Sequence, residues 1–252
     1  MPADVEGFSI VALHEAYDAT LLDRFYNEIL FPCFGIIPDE IEDLPDLHYQ
    51  LKHGNSDVSG RYLLHMLLVV REDDQSILAG VCFEYYPASN CGLITYIATH
   101  PSINTRGLGL GRLLAAQAVD RLHTRAAEHG HKACQGIFFE SNTDAVHDDV
   151  MVPATRRAML RQWGVCYLDM VYVQPRLADH KAPCRTLCLG VWSNAIVTTP
   201  SGDKAILAAV VLAHLIEFYT VLMGADAVTT DADAIRQIAF LEARDYVYVW
   251  EG

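Results

Sequence analysis

The chain has almost no lysine. Only Lys52, Lys132, Lys181 and Lys204 occur in 252 residues, and 18 lysines and arginines face 32 aspartates and glutamates, a formal net charge of −14. That balance argues against nucleic acid as a partner, because its phosphates would be repelled. An acidic surface favours a cationic substrate such as an amine, although solubility alone accounts for it equally well. A disulfide or zinc framework is lacking too. The seven cysteines (33, 82, 91, 134, 166, 184 and 188) are odd in number, form no C-x-x-C pair and sit mostly in apolar runs. Free thiols in a reducing compartment have that pattern. The opening stretch MPADVEGFSIVALHEAYD has neither a basic region nor a long apolar core, so no secretory signal and a cytoplasmic location are expected. One greasy run, Ala205 to Ala225, is long enough to suggest a membrane span. His214 and Glu217 lie in its middle, where lipid would penalise them, so a buried helix and no membrane partner are expected.

What is present is ordinary globular material, 52% hydrophobic and 20% charged, enough for one large domain or two small ones. It is organised around Leu93 to Leu122. The run opens with Leu93-Ile94-Thr95-Tyr96-Ile97-Ala98-Thr99, β-branched and aromatic, which suits a strand covered on both faces. Pro101 breaks it. Arg106-Gly107-Leu108-Gly109-Leu110-Gly111-Arg112 then leads into a helical stripe of Leu110, Leu113, Leu114, Ala118 and Leu122. Strand, glycine-rich turn and helix start make a device for an anion. The first amides of a helix lack intrahelical partners, the helix dipole adds positive charge, and glycines let a phosphate reach the backbone. Arg106 and Arg112 add bidentate charge. Spacing decides among nucleotide motifs. A G-x-G-x-x-G/A fingerprint fails at Arg112 counted from Gly107 and at Leu114 counted from Gly109, and the chain has no Gly-Lys pair for a P-loop.

The spacing R-x-x-G-x-G, read from Arg106 to Gly111, resembles the acyl-CoA pyrophosphate loop of the GCN5-related N-acetyltransferases, the GNAT family. The Thr99-His100-Pro101 exit before it and Leu113-Leu114 after it fit the same context. The resemblance covers roughly Phe8 to Trp192 and is strongest over 93–122. It implies an α/β fold with a mixed, mostly antiparallel central sheet, splayed middle strands and helices on both faces. It implies acetyl-CoA, or another acyl-CoA, as cosubstrate, and an amine as acceptor. Backbone of Arg106, Gly107, Leu108, Gly109, Leu110, Gly111 and Arg112 would hold the pyrophosphate. Ile97, Ala98 and Thr99 would offer strand edges to the pantetheine arm. Asn142 corresponds to the asparagine that opens the family's last segment.

In chain order, Phe8 to Leu13 reads as a first strand and Tyr17 to Leu30 as a helix ended by Phe31 to Gly35. The acidic run Asp39 to Asp46 reads as a solvated helix or loop, with the rim of a cationic substrate as the alternative. Asn55 to Gly60 is turn material. Tyr62 to Arg71 and Ile77 to Tyr86 are strands, and Gly136 to Glu140 is the fifth strand, with Glu140 at its end. A helix follows from about Ala154 to Trp163, then strands Cys166 to Pro175 and Arg185 to Trp192. Residues 1–195 are expected to form the acyltransferase domain. Residues 196–252 form a C-terminal extension of two helices, Asp203 to Met223 and Asp231 to Val247, packed on that domain or on a second copy of the chain in a homodimer.

Acyl transfer needs a positioned thioester, a group that takes the amine proton, an oxyanion donor and often an acid for the thiolate. The family's usual tyrosine acid falls on Leu160, and the glutamate that some members carry on the fourth strand falls near Thr95. Both carry-overs fail. Replacements are Glu140 as proton acceptor, Tyr172 and Tyr167 as acids, and the buried Glu84, for which a paired structural role is the alternative. Asp144, His147, Asp148 and Asp149, and His129-x-His131 with Cys134, have metal-capable groups but no recognised ligand spacing, so no metal is expected.

Overall fold

The computed structural model describes residues 7–53 and 62–250. The expected turn at 55–60 lies outside the described residues. The fold is mixed α/β, with a seven-stranded, mostly antiparallel sheet flanked by helices and a separate sheet of three strands. The chain divides into two compact units, Met1–Glu84 with Ile94–Leu122 and Tyr85–Leu93 with His123–Gly252.

The first unit begins with β1 (Phe8–Ala12), antiparallel to β2 (Leu63–Arg71), with Phe8 opposite Arg71 and Ala12 opposite Leu67. β3 (Ile77–Tyr86) and β4 (Cys91–Thr99) complete the first four strands of the sheet. Both β2 and β3 are buried over nearly their full length, in keeping with their unbroken apolar sequence. Helix α1 (Ala19–Phe25) starts where Asp18 Oδ1 accepts the Leu21 amide at 3.0 Å, an N-cap that satisfies one orphan donor. The helix does not stop at Phe31. It passes through a π-helical turn, Tyr26–Leu30, into α2 (Phe31–Phe34) and ends at Gly35. Pro32 is the physical reason. In an uninterrupted α-helix its ring would meet the carbonyl four residues back, and the wider winding ahead of it relieves that conflict. Gly80 of β3 lets the helix settle closely: a Cβ there would lie 2.3 Å from the Phe25 ring. Helix α3 (Leu44–His53) buries Leu47 and Leu51, and α4 (Leu110–Glu128) buries Leu110, Leu114, Ala118 and Leu122 of the stripe expected from spacing, with Leu113 half-buried.

In the second unit, β5 (Gly136–Asn142) runs two residues beyond Glu140, because β7 (Leu187–Trp192) pairs with it as far as Asn142 opposite Leu187. Helix α5 (Pro153–Trp163) ends at Gly164, and β6 (Val165–Tyr167) pairs with β7. β6 is far shorter than the expected strand to Pro175. Between Tyr167 and β7 the described residues keep only single bridges, Leu168 to Val249 and Gln174 to Cys184, so Tyr172 lies on a loop. The seven strands follow the order β1-β2-β3-β4-β5-β7-β6.

The extension holds more than two helices. β8 (Val197–Thr198), β9 (Lys204–Leu207) and β10 (Tyr246–Tyr248) form the small sheet, and α6 (Ala208–Met223), α7 (Ala227–Thr230) and α8 (Ala232–Glu242) lie between its second and third strands. Short apolar runs such as Ala205-Ile206-Leu207 carry no period that separates strand from helix. Among the described residues no helix is long and apolar enough to cross a membrane. His214 and Glu217 instead lie buried on α6. The Glu217 carboxylate accepts the amides of Ala88 at 2.9 Å and Ser89 at 2.6 Å.

Candidate active site

β4 is buried from Cys91 to Ile94, and its part in the first unit emerges through half-buried Ile97 and Ala98 to exposed Thr99. The turn after it is held from within. His100 Nδ1 accepts the amides of Ser102 at 3.0 Å and Ile103 at 3.2 Å, so this nitrogen is the unprotonated one. Asn104 Oδ1 accepts the Arg106 amide, and the Thr105 carbonyl accepts the Leu108 amide. Gly107 and Gly109 then sit at φ of +81° and +67°, the left-handed region that side chains resist, and a Cβ on either would point into open space.

These two turns bring the chain onto the N-terminus of α4. Among the described residues, the amides of Gly107, Gly109, Leu110, Gly111 and Arg112 find no acceptor. Arg106 and Arg112 are exposed beside them, as is Leu108. Five open amides, a 19-residue helix behind them and two guanidinium groups give concentrated, fixed positive potential. A doubly charged phosphate group is the ligand such a concavity suits.

The same unit contains a buried acid the sequence did not signal. Glu42 belongs to the acidic run expected to be solvated, yet it is 8% exposed. Its Oε1 accepts from the Tyr62 hydroxyl at 3.0 Å and from Gln50 Nε2 at 3.2 Å, and its amide donates to the Tyr96 hydroxyl at 3.0 Å. Tyr96 in turn donates to the Glu40 carbonyl. Burial, then the charges of Glu42 and Glu84, pushes the Tyr62 phenol well above its ordinary range. Glu84 is 3% exposed on β3, sharing this phenolic neighbourhood. At the family's glutamate position Thr95 turns its hydroxyl to the Cys82 carbonyl at 3.1 Å.

In the second unit the side chains of β5 alternate, so Phe138, Glu140 and Asn142 share one face and Ile137, Phe139 and Ser141 the other. Glu140 is half-buried. Its Oε1 accepts the hydroxyl of Tyr172 and its Oε2 accepts Gln174 Nε2 at 2.9 Å. Burial first, and the Glu140 charge second, pushes the Tyr172 phenol well above its ordinary range, so it stays protonated and donates. Tyr167 is fully buried and gives its proton to Ser141 Oγ at 3.1 Å, on the opposite face. Burial raises it to about 12. Structure thus brings Glu140 and Tyr172 into one hydrogen bond and keeps Tyr167 apart from them. Leu160 is 3% exposed in α5.

Asn142 is engaged elsewhere. Its Nδ2 donates to Asp149 Oδ2 at 2.9 Å, and its carbonyl accepts Arg157 at 2.7 Å. The loop after it is exposed at Asp144, His147 and Asp148, and is tied to α5 by two ion pairs. Asp149 takes a two-pronged contact from Arg156 at 2.6 and 2.7 Å, and Asp144 one from Arg157 at 2.9 and 3.0 Å. Burial raises the Asp149 carboxyl, but the bonds from Arg156 and Asn142 outweigh it and leave the group below its ordinary value. Near Cys134, His123 Nδ1 accepts that residue's amide. Among the described residues no three His, Cys, Asp or Glu side chains gather as a metal site.

An α/β domain with a cradle of open amides where a strand hands over to a helix has a form suited to a phosphorylated group. Residues 23–147 match the model of the acetyltransferase (GNAT) family, and the chain carries a GNAT acetyltransferase domain. Similar solved structures include an acetyltransferase from Streptococcus agalactiae, 10% identical over 74% of this chain and 98% of that one, TM-score 0.48. Others are a spermidine N-acetyltransferase from Vibrio cholerae (11%, 73% and 92%, TM-score 0.46) and a ribosomal-protein-alanine N-acetyltransferase from Escherichia coli (15%, 73% and 92%, TM-score 0.42). A search of curated proteins gave no match.

Proposed function

We propose that this acetyltransferase moves the acetyl group of acetyl-CoA to a primary amine of a small cationic molecule. The supporting observation is the set of five amides left open by Gly107 and Gly109 between Arg106 and Arg112. Their natural ligand is the cosubstrate's pyrophosphate, with Ile97, Ala98 and Thr99 facing its pantetheine arm. The acceptor class is drawn from the net charge of −14, which enriches cations near the surface.

Glu140 is the group we assign to take the amine proton. It alone of the candidate carboxylates is partly open to solvent, and two donors fix both of its oxygens. The freed amine attacks the thioester carbonyl, the C–S bond breaks as the tetrahedral adduct collapses, and the second proton of the attacking nitrogen passes through water to the departing CoA thiolate. Tyr172 orients Glu140 rather than feeding the thiolate, since its proton is already committed. Tyr167 and Glu84 are read as structural. A catalytically silent acyl-CoA-binding module is the second reading, favoured by buried Leu160 at the position of the usual acid; a protein amine is the alternative acceptor.

Calorimetry with acetyl-CoA tests the cradle. Micromolar binding is expected for the wild type, with a loss of at least roughly tenfold, about 1.4 kcal/mol, in both Gly109→Trp and Arg106→Glu. No binding of any acyl-CoA by the wild type would overturn the reading. Thiol release over a panel of di- and polyamines then separates enzyme from silent module. Glu140→Gln should lose about 10² to 10⁴-fold in kcat, the usual contribution of a general base.

A further inference from the structure

The loop that presents Tyr172 and Gln174 is not supported by strand pairing, apart from the single bridge at Gln174. Val173, between them, is held instead by two side chains of the C-terminal extension. Gln237 of α8 accepts the Val173 amide on Oε1 at 3.0 Å and donates from Nε2 to the Val173 carbonyl at 3.1 Å. One carboxamide thus satisfies both peptide groups of one residue, as a neighbouring strand would. The same Nε2 donates to the Tyr219 hydroxyl at 2.9 Å, and Tyr219 of α6 donates to the Val173 carbonyl at 3.0 Å. Gln237 is 2% exposed and Tyr219 1%. The orientation of the carboxamide is fixed, because a flip would set its oxygen against a carbonyl and its NH₂ against an amide N–H.

We infer that Gln237, with Tyr219, is a positioning residue for the acyl-transfer reaction: it pins Val173 so that Tyr172 and Gln174 both meet the carboxylate of Glu140. This rests on the assignment of Glu140 as proton acceptor. The extension is on this view part of the catalytic apparatus and not merely an addition to it. The chain of contacts is short and closed. Two donors flank one residue, that residue is held by one carboxamide and one phenol, and every member except the half-buried Glu140 is buried. Buried networks of this kind hold a single geometry when complete and lose it when one member is removed. Around the network, Tyr219 and Cys184 lie near Tyr172, while Asp231, Asp233 and Arg185 lie near Tyr219.

The test compares Gln237→Met, Tyr219→Phe and Gln174→Met with the wild type in full-length protein, reading kcat/KM for the amine against pH and KM for acetyl-CoA. Hydrogen-bond donors favour the carboxylate form of Glu140. Loosening them should move the acidic limb of the profile up by roughly one pH unit in Gln237→Met, in the same direction as Gln174→Met, with KM for acetyl-CoA unchanged. Tyr219→Phe, which folds with minimal change in shape, should give a smaller shift of the same sign. A Gln237→Met protein that loses only thermal stability, with its acidic limb in place, would show Gln237 to be packing alone. Full activity in Glu140→Gln would instead remove the base assignment, and this inference with it.

Discussion

The side chain that most constrains conditions of use is His214. It is fully buried, stacked on Phe138 at 4.3 Å and Phe218 at 5.6 Å, with the edge of Tyr86 at 5.5 Å. Neither ring nitrogen has a hydrogen-bond partner among the described residues. Burial depresses its pKa to about 3, so the folded protein holds it neutral. The unfolded chain binds a proton at this site below about pH 6.5 and the folded chain does not, so stability falls as pH drops from 6.5 toward 3. The expected slope from this one group is about 1.4 kcal/mol per pH unit. His214→Phe should flatten the pH dependence of urea unfolding by that amount, whatever offset the larger ring adds. An unchanged slope would mean that the ring is charged or solvated in the folded state. Other residues were harder to place from sequence. Glu42 reads as one acid in a solvated run, because Tyr62 and Tyr96, which hold it, lie 20 and 54 positions away. Likewise nothing in the sequence joins Tyr172 to Glu140, 32 positions apart, or marks Gln237 as the partner of Val173.

Among elements, the strand, glycine turn and helix at 93–128 were legible because their chemistry is local. The φ-positive glycines, the arginines and the apolar stripe all lie within one stretch of sequence. The ends of β5 and β6 were not legible, since pairing with β7 set them and not propensity. The loop between β5 and α5 gives a prediction at this scale. The pair of Asp149 with Arg156 is largely buried, with side chains 5% and 18% exposed. Removing one partner strands the other charge. Asp149→Ala should therefore lower unfolding free energy by about 3 kcal/mol and make the loop a preferred site of limited proteolysis. A change under about 0.5 kcal/mol would place the pair with ordinary surface ion pairs.

For the whole molecule, charge is the property to exploit. With a net charge of −14, encounter with a cationic acceptor should be steered and therefore screened by salt. Raising sodium chloride from about 0.02 to 0.5 M should cut kcat/KM for a diamine by roughly tenfold and leave a neutral hydroxy-amide analogue within about twofold. Equal dependence for both would remove the charge argument for a cationic substrate. Composition made this property readable without any structure, whereas the make-up of the compact units was beyond it. Neither unit is continuous in the chain: Tyr85–Leu93 belongs with everything after Leu122, and the residues on either side of it belong with the start. Any single scission therefore leaves at least one fragment carrying a piece of the other unit. A library of split halves should yield no fragment that is active on its own.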